Sequence, residues 1–225
     1  MGRIGGSGKL WRGVVMIGIA LFTLGAGMRV YAQITLGQTI QRLLDARPPS
    51  PIALTAPSSQ PLALAPSAPS SLRLPEYDLW NVLTPVTVTY DAANTPLWET
   101  ADSAWHVPSG IPGQAGSGFG NVVLGGHTPA SDPEVWARSV FRALPTLNRG
   151  DQIVVEAGTA RYSYQVALVF AIPAGEANNP EAAAWLAPTG DERLTLITCF
   201  PPHTAAYRVI AVAFPTTFTN TGDLR

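Results

Sequence analysis

The density of proline between Ala46 and Pro75 limits what this 225-residue chain can fold into. Eight prolines occur in this stretch, among Ala, Ser and Leu residues and only two charged ones. Each proline removes a backbone donor and fixes φ, so the stretch is expected to form neither a β-ladder nor a long helix. We interpret residues 38–75 as a semi-extended spacer, with a proline-rich ligand for a partner domain as the alternative. The folded part is then expected at residues 76–225, a typical size for one domain.

The N-terminal residues combine positive charge with an apolar run. Residues 1–30 contain four basic and no acidic side chains, and the 15 residues from Val14 to Met28 carry no charge. A basic segment followed by such a run is typical of chains that engage the export machinery. Continued to Leu36, the run is long enough to span a bilayer if Arg29 extends toward the lipid headgroups.

We therefore expect residues 1–37 to form an uncleaved, single-pass membrane anchor. The excess of basic residues before the apolar run places the N-terminus in the cytoplasm and the rest of the chain outside the cell. Val30-Tyr31-Ala32 resembles a small-x-small cleavage site, so a removed signal peptide is the alternative.

The part from residue 76 onward is acidic, with seven arginines, no lysine and 14 carboxylates. The whole chain has a net charge of −1, and it lacks the clustered Lys and Arg of a nucleic-acid-binding surface. We therefore expect no nucleic-acid partner. The one cysteine excludes an internal disulfide framework and any zinc site built from several cysteines.

Short β-rich runs bounded by Gly, Pro or Asp dominate this acidic part and favour a β-barrel or sandwich. Two short helices are also expected, Glu134–Leu144 after Asp132-Pro133, and Glu181–Leu186 with Asn179 as its cap. The expected strands are Val86–Tyr90, Asn121–Leu124, Ile153–Glu156, Tyr162–Leu168, Leu194–Thr198 and Arg208–Phe214.

The single cysteine, Cys199, ends an apolar β-run and is followed by Phe200-Pro201-Pro202, which stops the ladder. Such a residue is either a buried small hydrophobe or a reactive thiol, and a position at a strand end favours the reactive thiol. A nucleophilic thiol needs a nearby cation or base. If Arg208 begins the antiparallel neighbour of this strand, the two side chains can approach one another.

Three histidines compete for the role of acid or base. His127 stands at a strand end entered through Gly125-Gly126, which ranks it first. His203 lies in a proline-rich loop close to Cys199, and we expect it at the surface. His106 precedes Val107-Pro108 and is also expected at the surface or at a rim.

These residues resemble the sortases, cysteine transpeptidases of the bacterial cell surface. The run from Thr195 to Cys199 matches their T-L-x-T-C signature, and the run from Gly120 to His127 is similar to their G-N-x-v-x-a-G-H segment. Arg208 falls where the family has its arginine. The resemblance covers roughly residues 80–215 and is consistent with an N-terminal anchor, since sortases are usually tethered.

The resemblance implies a mainly β fold, the sortase-type eight-stranded β-barrel with short helices. It also implies that Cys199 is the nucleophile, His127 the general acid/base, and Arg208 the residue that holds the substrate and stabilises the oxyanion. Thr198 is a candidate substrate-binding residue, although its hydroxyl could equally satisfy a backbone group of the strand. The implied reaction cleaves a Thr–Gly-type bond in a C-terminal sorting signal (LPxTG or LAxTG-like) and transfers the protein to an amine.

Partners implied in this way are surface proteins with a sorting signal, an amine acceptor in the cell envelope, and the membrane through the N-terminal segment. Residues 31–85 contain no Asp-Pro pair, so a lid-free enzyme rather than a pilin-polymerising one is favoured. No cofactor is expected. Some relatives bind calcium, but here the acidic residues are better explained as a solvated surface; they are Glu176, Glu181, Asp191 and Glu192.

Other functional classes stay open. A cysteine peptidase or a peptidoglycan-modifying L,D-transpeptidase is one, although those families usually place Cys before His or use a Ser-x-Gly-Cys-Arg pattern. An inactive surface module on the same barrel is another. The segment Leu186–Gly190 reads like a sorting signal, and we interpret it as a chance match, the alternative being a loop that lies across its own active site.

Overall fold

The computed structural model describes the helix after the apolar run and most of the acidic part, namely residues 28, 31–50, 67–90, 96–99, 104–108, 110, 112, 120–175 and 180–220. Nearly all of the expected anchor lies outside the described residues, and so do the proline-rich residues 51–66. The chain separates into two compact units, residues 1–41 and 42–225. Among the described residues, no helix combines the length and the apolar character that a membrane span needs.

Helix α1 comprises residues 31–45. Its first turns are largely exposed, and the Thr35 hydroxyl donates to the Tyr31 carbonyl one turn earlier, at 2.9 Å. At its C-terminal end, within the second unit, Leu43 is buried and the Arg42 side chain donates to the Pro145 carbonyl. This last turn is therefore packed onto the folded domain.

The second unit consists mainly of β-strands joined by short connections. The strands are β1 (Pro69–Leu74), β2 (Leu79–Val82), β3 (Thr84–Pro85), β4 (Thr87–Tyr90), β5 (Pro96–Glu99), β6 (Ala104–His106), β7 (Asn121–Gly126), β8 (Gln152–Ala157), β9 (Ala160–Pro173), β10 (Arg193–Phe200) and β11 (Tyr207–Asn220). The helices are α2 (Pro133–Arg138), α3 (Val140–Ala143) and α4 (Pro180–Leu186), with 3₁₀ turns at Pro75–Tyr77 and Leu144–Thr146.

Nine of these strands form one sheet, in the order β2-β1-β8-β9-β11-β10-β7-β6-β3, while β4 and β5 pair separately. The two outermost strands of this order, β2 and β3, are separated in the chain only by Leu83. Both edges of the sheet therefore meet at one place, and the sheet rolls into a nearly closed barrel. The predicted mainly β barrel with short helices is confirmed, with nine described strands in the sheet where eight were expected.

Strand β1 corrects the expectation that no part of the proline-rich stretch joins a ladder. It pairs with both β2 and β8. Pro69 and Pro75 only flank the intervening residues, so the missing proline N–H groups do not interrupt the pairing. Leu72 and Leu74 alternate with exposed neighbours and are fully buried, and this apolar alternation makes the segment part of the barrel.

The helix expected over Glu134–Leu144 is interrupted at Ser139, which is extended (φ −69°, ψ 131°). The Ser139 hydroxyl accepts from the Phe141 N–H and so caps α3, while the Asn81 side chain accepts from the Val140 N–H at 2.8 Å. Asp132 caps α2, accepting from the Glu134 N–H. Serine is favoured at the N-cap of a helix and is unfavourable inside one. Two short helices therefore replace the single one expected.

Helix α4 covers one face of the sheet near its middle strands. The Trp185 ring lies 4.6 Å, centroid to centroid, from Phe170 on β9. The same apolar cluster includes Ile197 on β10 and Ile210 on β11, which are directly paired. Residues on this face of β10 alternate with residues that face the other way, and that alternation determines where Cys199 points.

Candidate active site

The predicted site residues meet where three strand ends coincide. β7 and β10 run parallel, with Gly126 beside Thr198 at their C-terminal ends. β10 and β11 run antiparallel, with Cys199 directly opposite Arg208. His127 follows Gly126 as Cys199 follows Thr198. All three predicted residues therefore lie at the same end of these neighbouring strands.

Cys199 and Arg208 are direct cross-strand neighbours, as expected from the sequence. Opposed residues of an antiparallel pair project to the same face with Cβ atoms about 5 Å apart. Cys199 is half-buried, whereas its neighbours along β10 are buried. The thiol is therefore accessible, and it lies within reach of a guanidinium.

The Arg208 guanidinium is held by the loop that joins β10 to β11. Its Nη1 donates to the Ala205 carbonyl at 3.3 Å. Ala205 has φ 50°, in the left-handed region that non-glycine residues seldom adopt. Within the described part of the chain, Arg208 forms no ion pair with a carboxylate. Among these described residues no carboxylate neutralises its positive charge, which is then available to a bound anion.

Two glycines bring the chain to His127 through a crowded place. A Cβ on Gly125 would overlap the Trp105 ring, and a Cβ on Gly126 would overlap the Phe141 ring. The glycines thus allow two aromatic rings to pack directly on the backbone of β7. His127 itself is exposed at the end of the strand.

Thr198 lies on the opposite face of β10 from Cys199 and is only 3% exposed. Its hydroxyl donates to the Gly126 carbonyl at 2.7 Å and is hydrogen-bonded to the Thr128 hydroxyl. Of the two uses foreseen for this hydroxyl, the structure shows the bond to a backbone group.

The other two histidines differ in their exposure to solvent. His203 is exposed, as expected, and has φ 70°. The prediction that His106 lies at the surface or at a rim is wrong. His106 is only 4% exposed and lies on β6, opposite Leu124. Burial lowers the pKa of the His106 imidazole, since the charged form is poorly solvated there. The short strand β6 lies between β7 and β3, which the residues around His106 did not indicate.

Asn121 is a structural contributor that sequence reasoning did not single out. Its amide donates to the Trp185 carbonyl at 3.1 Å and to the Ala187 carbonyl at 2.9 Å, and its oxygen accepts from the Thr195 hydroxyl at 2.7 Å. It therefore fastens the C-terminal end of α4 to β7 and β10. A polar residue directly before an apolar run is the signal that could have indicated this role.

The segment Leu186–Gly190, which resembles a sorting signal, does not lie across the site. Ala187 bonds to Asn121, which is level with Arg193 at the start of β10. Cys199 is six residues further along the strand, about 20 Å away. Chance resemblance is the interpretation that the structure leaves.

Three of the four acidic residues considered for calcium have other partners. Asp191 pairs with Arg193 at 2.6 Å, and Glu181 pairs with Arg47 at 2.7 Å. Glu192 accepts from the Tyr164 hydroxyl at 2.9 Å, and Glu176 lies outside the described residues. Within the described ranges, no group of three or more His, Cys, Asp or Glu side chains is arranged to hold a metal ion.

Comparison with known proteins identifies the family to which the chain belongs. The family model of the sortase domain matches residues 72–216, well over half of the chain. A comparison with curated protein sequences returns no match.

Several solved structures are similar to the chain. Sortase A from Corynebacterium diphtheriae, lid mutant, is 18% identical over 72% of this chain and 77% of that one, with a TM-score of 0.49. Sortase A of Listeria monocytogenes is 22% identical over 68% and 88%, with a TM-score of 0.47. Sortase E1 from Streptomyces coelicolor, with a tripeptide in the active site, is 18% identical over 71% and 93%, with a TM-score of 0.47. On the match of the family model, the chain belongs to the sortase family of cysteine transpeptidases.

Proposed function

We propose that this sortase cleaves the Thr–Gly bond of a C-terminal sorting signal of the LPxTG or LAxTG type and transfers the protein to an amine of the cell envelope. The observation that carries the proposal is the direct pairing of Cys199 with Arg208 beside the strand end that leads to His127. A nucleophile, a fixed cation and a titratable imidazole are the three groups that acyl transfer through a thiol requires.

In the proposed first step, the Cys199 thiolate attacks the threonine carbonyl carbon. The negative charge that develops on the carbonyl oxygen is stabilised by Arg208, whose guanidinium has no carboxylate partner among the described residues. The C–N bond then breaks, and His127 as imidazolium gives its proton to the departing glycine amine. The products are a thioester on Cys199 and a released C-terminal peptide.

In the second step, the acceptor amine attacks the thioester carbonyl and the C–S bond breaks. His127, now neutral, takes the proton that the amine loses, and the Cys199 thiolate is regenerated. A new amide bond joins the surface protein to the acceptor. If water replaces the amine, the same steps give hydrolysis.

We also propose the cellular arrangement. Residues 1–37 anchor the chain as a single span with a cytoplasmic N-terminus, the proline-rich residues hold the domain off the membrane, and catalysis takes place outside. Sortases as a class are membrane-associated enzymes of the cell surface. A lid-free enzyme that attaches proteins singly is favoured, because residues 31–85 contain no Asp-Pro pair.

The test uses the full-length chain in detergent, a fluorogenic LPxTG or LAxTG peptide, and either triglycine or a diamine. We expect a peptide–amine product whose yield rises with amine concentration and which is lost in Cys199→Ala and His127→Ala. His203→Ala is the matched control, because His203 is an exposed histidine in the loop that follows Cys199. Peptide hydrolysis that persists in Cys199→Ala would refute the mechanism. Cysteine-dependent cleavage without any amine product would favour a cysteine peptidase or hydrolase instead.

A further inference from the structure

A chain of hydroxyl groups ties the loop of His127 to the strand of Cys199. Thr198 donates to the Gly126 carbonyl at 2.7 Å and is hydrogen-bonded to Thr128. A threonine hydroxyl carries a single proton. Because the Thr198 proton is used on Gly126, the bond with Thr128 has Thr128 as donor and Thr198 as acceptor.

This chain reaches the residues on both sides of His127. The regular pairing of β7 with β10 ends at Gly126 and Thr198, so His127 and Thr128 lie beyond the last ladder position. Past this point the ladder no longer restrains the chain, and a side-chain hydrogen bond adds restraint there. Thr128 supplies such a restraint, and it is directed at the residue that precedes Cys199.

The restraint is well placed to be strong. Thr198 is only 3% exposed, and Thr128 is half-buried, so water competes poorly for the two hydroxyl groups. The Phe141 ring lies against Gly126 and limits movement of the same backbone. The His127 side chain is exposed, between these two restrained neighbours.

We propose that Thr128 is a positioning residue for catalysis, acting through Thr198 to hold His127 beside Cys199. The proposal rests on the proposed roles of His127 and Cys199. It also replaces contact with the substrate as the role of Thr198, since Thr198 faces away from the thiol and its proton is already used. Thr128 touches no reacting atom in this scheme; its effect is on the geometry of proton transfer between imidazole and thiol.

The experiment compares three variants of the full-length chain. Thr128→Val keeps the shape and removes the hydroxyl, whereas Thr128→Ser keeps the hydroxyl. Thr189→Val is the matched control, because Thr189 is also half-buried, its hydroxyl bonds to the Asp191 carbonyl at 2.9 Å, and it lies near the opposite end of β10. Urea unfolding checks that the variants are folded.

Two readouts are measured, kcat and KM for transfer of the sorting peptide to triglycine, and the rate of Cys199 alkylation by iodoacetamide against pH. For Thr128→Val we expect kcat to fall about tenfold with KM unchanged, because a displaced imidazole impairs proton transfer but not binding. Thr128→Ser and Thr189→Val should stay within about twofold of the wild type. The alkylation profile of Thr128→Val should change in the same direction as that of His127→Ala.

The proposal is overturned if the alkylation profile of Thr128→Val matches that of the wild type, or if Thr128→Val and Thr189→Val lose activity equally. The alkylation readout needs no substrate, so it tests the positioning role even if the sorting peptide is not cleaved. Transfer that survives His127→Ala would refute the proposed function instead, and it is scored separately.

Discussion

Cys199 and Arg208 are paired residue to residue across β10 and β11, with the Arg208 guanidinium steadied by the carbonyl of Ala205 in the loop between the strands. Antiparallel pairing places both side chains on one face without any specific contact between them. The relative position of thiol and cation is therefore set by the ladder. Substitution of either side chain should change chemistry more than folding.

Replacing Arg208 tests the value of its charge and shape. We expect Arg208→Gln to lower kcat/KM by about 10²- to 10³-fold, as for loss of an oxyanion donor, and Arg208→Lys to fall in between because a point charge lacks the planar fork. Steady-state kinetics with the sorting peptide measure this. Arg142→Gln, at an exposed arginine of α3, is the control. Wild-type kcat/KM in Arg208→Gln would contradict the proposed role.

Replacing Ala205 tests whether the loop conformation holds the arginine. Ala205→Gly should preserve both the left-handed backbone and the activity, because glycine adopts φ 50° without a steric cost. Ala205→Val should destabilise the loop by about 1–2 kcal/mol and lower kcat/KM, since a β-branched residue disfavours this conformation and displaces the carbonyl.

The measurements are thermal unfolding and steady-state kinetics, and the control is His203→Val. His203 also has a left-handed backbone in this loop, but the Arg208 side chain bonds to the carbonyl of Ala205 and not to that of His203. We expect His203→Val to cost similar stability but to leave kcat/KM unchanged. Equal activity losses in both valine variants would mean that general loop strain, rather than the bond to Arg208, decides the effect.

Buried His106 should make stability depend on pH. Its pKa in the folded protein is lowered from 6.5 by burial, so the unfolded chain binds the proton more readily. The contribution of neutral His106 to the free energy of unfolding is then fully present above about pH 6.5. It is lost as the pH falls below that value, at up to about 1.4 kcal/mol per pH unit. Urea unfolding between pH 7 and 5 should show this loss in the wild type.

The same loss should be smaller in His106→Gln, which cannot take up the proton, and unchanged in His203→Gln at an exposed histidine. If His106→Gln and the wild type lose stability in parallel over this range, His106 is not the group responsible.

Asn121 should be important for stability because it satisfies three partners at once, two of them through buried hydrogen bonds. Asn121→Ala leaves the Trp185 and Ala187 carbonyls and the Thr195 hydroxyl without this partner, at an expected cost of about 2–3 kcal/mol. Urea unfolding measures the cost, with Asn148→Ala at an exposed asparagine as the control. A double-mutant cycle with Thr195→Val should show a coupling of about 0.5–3 kcal/mol. Additive effects would contradict a shared network.

The strands around the site were predictable because their signals are local. Leu194–Thr198 was expected as a strand and lies within β10, and Arg208–Phe214 lies within β11. Turn residues and β-rich runs report on a few neighbouring positions, and the pairing of Cys199 with Arg208 followed from a hairpin of adjacent strands. The Ser139 interruption was missed because a residue far away in the chain, Asn81, helps to cap the second helix.

The sequence by itself determined the acidic β-rich domain, the lone thiol at a strand end, and the order of histidine, cysteine and arginine. Only the tertiary structure decided that β1 joins the barrel, that His106 is buried, and that Thr198 bonds to the loop of His127 rather than pointing with Cys199. The reason is physical: the direction of a side chain along a strand is a local property, but its partners are set by register between residues about 70 positions apart, as for Gly126 and Thr198.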